Sequence, residues 1–131
     1  MDLSQLRYAD THEWVAVSED NGVKIATIGI SAHAVQLLTD LVYMDLPEVG
    51  ENVTAGEEFG EVESVKAVSP LYCPVDGEIV DVHSDLPDNL EILSEDPYEQ
   101  GWILKVKLGD ETALAKLMSP ADYERQCNEA G

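Results

Sequence analysis

One lysine of this 131-residue chain stands in a pattern that could do chemistry. Lys66 lies in the run Val62-Glu63-Ser64-Val65-Lys66-Ala67, and an apolar-rich stretch flanks this run on each side. If the two stretches form a β-hairpin, Lys66 lies at its tip, away from the body of the domain. An amine on a rigid, exposed turn is accessible to a modifying enzyme, and an amide bond would remove its charge. The pattern predicts the attachment point of a covalent arm, with an unmodified surface lysine as the alternative.

The other reactive side chains are widely spaced. Cys73 and Cys127 lie far apart and fit no metal-ligand spacing, which predicts two free thiols in a reducing compartment and leaves a disulfide or redox pair as the alternative. His12, His33 and His83 are also too far apart in sequence to suggest a metal site. The chain has no glycine-rich phosphate loop and no nucleophile elbow. We therefore expect a protein that is not an enzyme and holds no metal.

The elements that must position Lys66 are mostly strands. Asn21-Gly22 is a strong hairpin signal between candidate strands 14–18 and 23–28. Gly50 and Gly56 flank Val53 in a predicted loop, and residues 75–78 form a predicted turn in which Gly77 adopts a positive φ. Further strands are predicted at residues 43–46, 58–63, 68–73, 78–83 and 103–108.

Helices are predicted at the periphery. Ser31 can cap a helix whose apolar face runs from Ala34 to Val42, while Asp110 and Ser119 can cap two C-terminal helices, the first of them carrying Lys116. Strands punctuated by glycine and proline predict a mainly β fold, an antiparallel sandwich or flattened barrel with short peripheral and C-terminal helices. The length predicts a single domain over residues 1–131.

The chain is strongly acidic. Its 27 acidic and 7 basic residues give a net charge of -20, which argues against nucleic acid and anionic membranes as partners. Acidity also fits electrostatic steering toward enzymes with basic docking surfaces, or a generally solvated acidic surface. No apolar run is long enough to span a membrane, and the first residues do not look like a secretory signal, so we expect a cytoplasmic protein.

The run around Lys66 resembles the lipoylation motif of the H-proteins of the glycine cleavage system. Glu63, three residues before the lysine, and Gly77, eleven after it, match the spacing seen in lipoyl domains. Related biotin carriers have methionine on both sides of the lysine, whereas Val65 and Ala67 occupy those positions here. The resemblance therefore implies lipoate, attached covalently once per chain.

The resemblance extends over nearly the whole chain. It includes Thr11-His12-Glu13-Trp14-Val15, Ala26-Thr27-Ile28-Gly29-Ile30, Asp40-Leu41-Val42-Tyr43, Leu46-Pro47-Glu48-Val49-Gly50, Asp96-Pro97-Tyr98 and Gly101-Trp102, in the family's order. It implies a lipoyl-domain fold (a barrel-sandwich hybrid) and a non-catalytic carrier. It further implies that a lipoate ligase or lipoyl transferase recognises Glu63 and Gly77, and that Glu13 and His33 line a cleft in which the loaded arm rests.

The same resemblance implies the partners. In glycine cleavage the arm visits a pyridoxal-phosphate glycine decarboxylase, a folate-dependent aminomethyltransferase and a dihydrolipoyl dehydrogenase, and it carries an aminomethyl group. Pro70 stands where the family usually has an aspartate, and Ala32 and Val35 replace the usual Asp and Gln. These departures and the acidity leave an alternative, an H-like lipoate-binding protein that carries sulfur for a heterodisulfide-reductase-like sulfur-oxidation complex.

Overall fold

The computed structural model describes residues 5–38, 40–109 and 112–130, and it is built on two antiparallel sheets. The six-stranded sheet has the order β1-β2-β3-β9-β8-β5, and the three-stranded sheet has the order β4-β6-β7. The strands are β1 (Arg7–Tyr8), β2 (Glu13–Asp20), β3 (Val23–Ile30), β4 (Leu41–Asp45), β5 (Asn52–Val53), β6 (Glu58–Ser64), β7 (Val68–Tyr72), β8 (Gly77–Val82) and β9 (Leu104–Leu108).

Short helices surround the sheets, as the sequence predicts. They are α1 (Ala32–Leu38), a 3-10 helix (Leu86–Asp88), α2 (Glu91–Glu95), α3 (Thr112–Ala115) and α4 (Pro120–Ala130). Ser31 and Ser119 cap α1 and α4 because their hydroxyl oxygens accept the N–H groups of Ala34 (3.1 Å) and Asp122 (3.2 Å). The proposed Asp110 cap lies outside the described residues, and Lys116 follows α3 in a turn instead of lying within it. Among the described residues, no helix has the length and apolarity to cross a membrane.

The apolar core joins the two sheets. Side chains of the six-stranded sheet such as Val15 and Ile28 belong to the same buried cluster as Met44, Val62 and Leu71 of the three-stranded sheet. A second cluster contains Leu6, Tyr8, Trp14 and Tyr123 and packs α4 against β1 and β2. This two-layer, mainly β arrangement confirms the fold class expected from the sequence.

Strand pairing overrides the local expectation at three places. The helix expected from Ala34 to Val42 is shorter, because Asp40 adopts a φ of 27° and the chain from Leu41 pairs with β6. The predicted loop at Val53 instead forms the two-residue strand β5, paired with β8. Arg7–Tyr8 was not predicted as a strand, yet it pairs with β2. For β4 and β5, pairing with a strand distant in the chain decides the local structure, and the local sequence does not show that partner. Strand β1 pairs with the neighbouring β2, but its two residues are too few to give a periodic pattern.

Candidate functional site

Lys66 lies at the tip of the β6–β7 hairpin, where the sequence predicts it. The strands pair as far as Glu63 opposite Val68, and the Ser64 N–H then donates to the Ala67 carbonyl at 2.8 Å. The Ser64 hydroxyl oxygen accepts the N–H groups of Lys66 (3.3 Å) and Ala67 (3.2 Å), so one buried side chain holds the turn. Lys66 itself is exposed. The geometry is that of an amine presented on an ordered loop.

The turn is also anchored to the neighbouring strand. The Val65 N–H donates to the Asp40 carbonyl at 3.2 Å, immediately before β4 begins. Val65 and Val68 expose 64% and 53% of their surface on either side of Lys66, and Val42 next to the anchor exposes 56%. Large apolar side chains exposed together around one lysine are suited to contact another protein or an apolar arm.

Glu63 is held in the ladder between its two neighbours. It pairs with Tyr43 of β4 on one side and with Val68 of β7 on the other. Its backbone is therefore fixed three residues before Lys66, and its side chain is half-buried.

Gly77 does not adopt the positive φ that was expected. It begins β8, and the described glycines with positive φ are Gly22, Gly50 and Gly56. A Cβ on Gly77 would overlap the Lys107 carbonyl oxygen and would lie 2.6 Å from Val106 Cγ1. Glycine is needed here because β9 passes too close for any side chain. Gly77 also lies in the opposite sheet from Lys66.

Glu13 is a buried carboxyl group at the start of β2. It is 1% exposed, its Oε1 accepts the Thr11 hydroxyl, and its Oε2 accepts the Tyr72 N–H at 3.3 Å. Burial raises the pKa of Glu13 to about 7, against the lowering effect of these hydrogen bonds. The group therefore exchanges its proton near neutral pH.

Thr11 and Tyr72, the two hydrogen-bond partners of Glu13, line an open cavity of about 910 Å³. The cavity lies between the turn that precedes β2, the end of β7 and α3, and neither Glu13 nor His33 is among its lining residues. The lining residues with polar side chains include Asp10, Thr11, Thr54, Tyr72, Asp76 and Lys116. Since Tyr72 lies four residues after Val68, about 13 Å of strand separates the cavity from the Lys66 turn.

His33 lies in a different cluster. Its ring is 5.3 Å from that of His12 between centroids, and ligand atoms of His12, His33 and Cys127 all lie within 4.8 Å of one another. The argument from sequence separation therefore fails for these three residues, because α4 packs back on the start of the chain. Burial lowers the pKa of His12, and the neighbouring His33 lowers it further.

Both cysteines are free, as the sequence predicts. Cys73 is buried in the core, where burial raises its thiol pKa to about 11, and it donates to the Val75 carbonyl at 3.1 Å. A protonated, buried thiol of this kind is a packing residue rather than a nucleophile.

Comparison with known proteins agrees with this geometry. The family model described as "Glycine cleavage H-protein" matches residues 6–130. The chain belongs to the glycine cleavage H-protein family. A glycine cleavage system H protein of Rhodopirellula baltica is 65% identical over 130 residues, covering 99% of this chain and 98% of the relative. One of Psychromonas ingrahamii is 53% identical over 120 residues, covering 92% and 94% respectively.

A solved H-protein has the same fold. The crystal structure of the Mycobacterium marinum glycine cleavage system H protein superposes with a TM-score of 0.81 at 37% identity, covering 95% of this chain and 98% of that one. The lipoyl-domain fold expected from the sequence is thereby confirmed. The relatives also support the reading as a lipoyl carrier of glycine cleavage over the sulfur-oxidation alternative.

Pro70, which replaces the family's usual aspartate, has an acidic residue opposite it on the neighbouring strand. Pro70 lies on β7, at the edge of the three-stranded sheet, a position that tolerates proline because it needs no N–H for the ladder. Glu61 stands directly opposite it in register. Side chains of such cross-strand pairs lie about 5 Å apart at Cβ, so a carboxylate remains beside the position that lacks the aspartate.

The site also contains residues that the sequence did not single out. Ser64 was visible in the motif, but only the structure shows that its hydroxyl closes the turn. The anchoring carbonyl of Asp40 depends on the β4–β6 register, which no sequence signal indicates.

Proposed function

We propose that Lys66 carries a lipoyl group in amide linkage and that the protein is a non-catalytic carrier between the enzymes of glycine cleavage, acting in the cytoplasm. The observation that supports this most is the ordered β6–β7 turn, which presents one exposed lysine beyond the last strand pair. Membership of the H-protein family supports the choice of lipoate over other acyl groups.

The residues around Lys66 fit such a group. Val65 and Val68 give the attachment point an apolar border, which suits a neutral amide-linked chain better than a charged one. When bound, lipoate supplies a disulfide that opens and closes reversibly and can carry a one-carbon amine. The chain's own part is to hold Lys66 clear of the sheets, through the hydrogen bonds of Ser64.

We further propose that a lipoate ligase or lipoyl transferase recognises the carboxylate of Glu63, which stands on an ordered strand three residues before the lysine. Gly77 would contribute indirectly, because it lets β8 and β9 pair closely and so keeps the domain folded for the enzyme.

We also propose that the arm rests in the cavity of about 910 Å³, with Glu13 acting from behind the lining residues and His33 from outside it. Glu13 holds Thr11 and Tyr72, which both line the cavity, and Tyr72 ends the strand that leaves the Lys66 turn. His33, half-buried on α1, would act from the neighbouring surface. In this arrangement the chain shields the arm and performs no chemistry.

The partners follow from the pathway. We propose that a pyridoxal-phosphate glycine decarboxylase, a folate-dependent aminomethyltransferase and a dihydrolipoyl dehydrogenase act in turn on the group held at Lys66. Tethering serves these enzymes by raising the effective concentration of the arm at each active site.

The test compares two lysine variants. The wild-type chain, incubated with lipoate and a lipoate ligase, gains the mass of one lipoyl group, and Lys66→Arg gains none because Lys66 is the acceptor. Lys107→Arg is the matched control, since Lys107 is also exposed but lies within β9. An unchanged mass gain in Lys66→Arg would refute the assignment.

A further inference from the structure

The cluster of His12, His33 and Cys127 contains three ligands of the kind that zinc prefers. Two imidazoles and one thiol offer atoms within 4.8 Å of one another, and all three residues are half-buried, which leaves them accessible to an ion from solvent. No carboxylate belongs to the group, so its chemistry does not suit Ca²⁺ or Mg²⁺. Three protein ligands with a fourth position open to solvent is a common zinc arrangement.

A hydrogen-bond network joins the three elements that carry these ligands and holds the ring of His12. The Tyr123 hydroxyl bonds both His12 Nδ1 and the Ser31 hydroxyl, each at 2.6 Å. Ser31 in turn caps α1 through the Ala34 N–H, and its own N–H donates to the His12 carbonyl at 2.9 Å. A histidine whose second ring nitrogen is held by a hydrogen bond is oriented as metal ligands usually are.

The three ligands come from three separate elements. His12 lies in the turn before β2, with a φ of 83°. His33 lies in the first turn of α1. Cys127 lies four residues after Tyr123 on α4, hence on the same face of that helix.

The observed spacing is close to what one ion requires. With metal–nitrogen distances of about 2.0 Å and metal–sulfur distances of about 2.3 Å, tetrahedral ligand atoms lie about 3.3 to 3.6 Å apart. The ligand atoms lie within 4.8 Å of one another, so side-chain rotations have to bring the most distant pair at most about 1.2 to 1.5 Å closer. The two rings are inclined at 41° and are not stacked, so both can turn a nitrogen toward a common point.

We propose that His12, His33 and Cys127 bind one Zn²⁺ ion, which joins α4 to α1 and to the turn before β2. Binding exchanges the thiol proton of Cys127 for the metal and releases that proton to solvent. The net charge of -20 favours the approach of a cation. Because the ligands lie on three elements, the ion stabilises the folded chain over the unfolded one. The proposal does not depend on lipoylation of Lys66.

The experiment uses the full chain with Lys66→Arg, reduced and stripped of metal, so that no lipoyl thiol competes. Co²⁺ is the spectroscopic probe, and Zn²⁺ affinity is measured by competition with a chromophoric chelator. We expect one site per chain, a sulfur-to-cobalt charge-transfer band, and a higher melting temperature with Zn²⁺. The band matters because the many surface carboxylates also bind cations weakly but cannot produce it.

The variants identify the ligands separately. Cys127→Ser is expected to lose the charge-transfer band and the zinc-dependent rise in melting temperature. His12→Asn and His33→Asn are expected to weaken Zn²⁺ binding at least tenfold, and Asn tolerates the positive φ at position 12. Cys73→Ala, which removes the other thiol, should keep both the band and the affinity.

Three results would overturn the proposal. The first is a sulfur-to-cobalt band that the Lys66→Arg parent shows and that persists when Cys127 is also replaced by Ser. The second is a parent chain that binds Zn²⁺ only weakly, at several sites and without the band. The third is an unchanged Zn²⁺ affinity in both His12→Asn and His33→Asn. These two variants still test the proposal if Cys127→Ser does not fold.

Discussion

Glu63 and Lys66 belong to one hairpin but have different surroundings. Glu63 is held between Tyr43 and Val68 in the ladder, whereas Lys66 stands beyond the last strand pair. An enzyme that approaches the turn therefore meets a carboxylate whose backbone is held in the sheet, three residues before the lysine. Binding a carboxylate on an ordered strand costs less conformational entropy than binding one on a mobile loop.

We expect Glu63→Gln to slow lipoylation of Lys66. An exposed charged contact is worth at most about 1 kcal/mol, which predicts a fall of about fivefold in kcat/KM for the ligase. Glu61→Gln is the matched control, because Glu61 lies two residues earlier on β6 and is equally half-buried. Equal rates in the two variants would remove Glu63 from the contact surface of the ligase.

Glu13 predicts a specific pH dependence of stability. Its carboxyl pKa is about 7 in the folded chain and about 4.5 in the unfolded one, so the folded state holds an extra proton between these values. Stability is therefore highest below about pH 4.5 as far as this group is concerned, and it falls as pH rises through 7. A shift of this size corresponds to about 3 kcal/mol, an order-of-magnitude value.

Replacement of Glu13 by Gln isolates this contribution. The amide oxygen can accept the Tyr72 N–H and the amide nitrogen can donate to Thr11, so the contacts survive without a titrating group. Relative to Glu13→Gln, the wild type should lose stability as pH rises from 4.5 to about 7, measured by urea denaturation at each pH. Glu19→Gln, an exposed acid on the same strand, should follow the wild type. Parallel curves for Glu13→Gln and wild type would show that the buried carboxyl is not protonated as described.

At the scale of elements, the sequence was informative wherever the cause of structure is local. The Asn21-Gly22 turn forms with positive φ at both residues, and the serine caps of α1 and α4 lie where expected. The Lys66 hairpin was predictable because both of its strands and its short link were visible together. These features depend on residues within a few positions of one another.

What was not predictable depends on partners distant in sequence. The apolar residues Leu41 and Val42 fit both a continued helix and a strand, and pairing with β6 decides for the strand. His12 meets Tyr123, 111 residues away, only because α4 folds back across β1 and β2. Spacing along the chain therefore does not show that His12, His33 and Cys127 come together.

The close pairing of β8 with β9 requires a glycine at position 77, and a substitution tests this directly. A Cβ there would collide with β9, so Gly77→Ala should lower the free energy of unfolding by about 1 to 3 kcal/mol, as overpacking generally does. Gly109→Ala is the control, because its Cβ would find no atom closer than 4.0 Å. Chemical denaturation measures both, and lipoylation of Gly77→Ala should follow its folded fraction. Equal stability of the two variants would contradict the close approach of β8 and β9.

At the scale of the molecule, charge is distributed unevenly between the sheets. Strands β4, β6 and β7 contain four acids and no lysine or arginine, whereas the six-stranded sheet contains five acids against Arg7 and three lysines. The sheet that carries the Lys66 turn is therefore negative, and amide formation at Lys66 would remove the only positive charge at its tip. This asymmetry favours approach to a basic surface with the arm leading.

The last prediction tests whether this local charge, rather than the total, steers the carrier to its enzymes. Asp45 and Glu61 face each other across β4 and β6, and replacing both by Asn and Gln removes two negative charges, which changes the net charge of the unmodified chain from -20 to -18. Glu91→Gln with Glu95→Gln on α2 makes the same change to the net charge elsewhere.

Association of the lipoylated chain with glycine decarboxylase is followed by stopped flow as ionic strength rises. The Debye length then shrinks from about 30 Å to about 8 Å, so steering should fade. We expect the β4–β6 pair of substitutions to slow association about twofold at low salt and to reduce its salt dependence, since charges nearest the docking surface contribute most to the encounter. The α2 pair should behave like wild type. Equal effects of the two pairs would mean that net charge alone matters, and rates independent of salt would mean that the acidity serves solvation and not recognition.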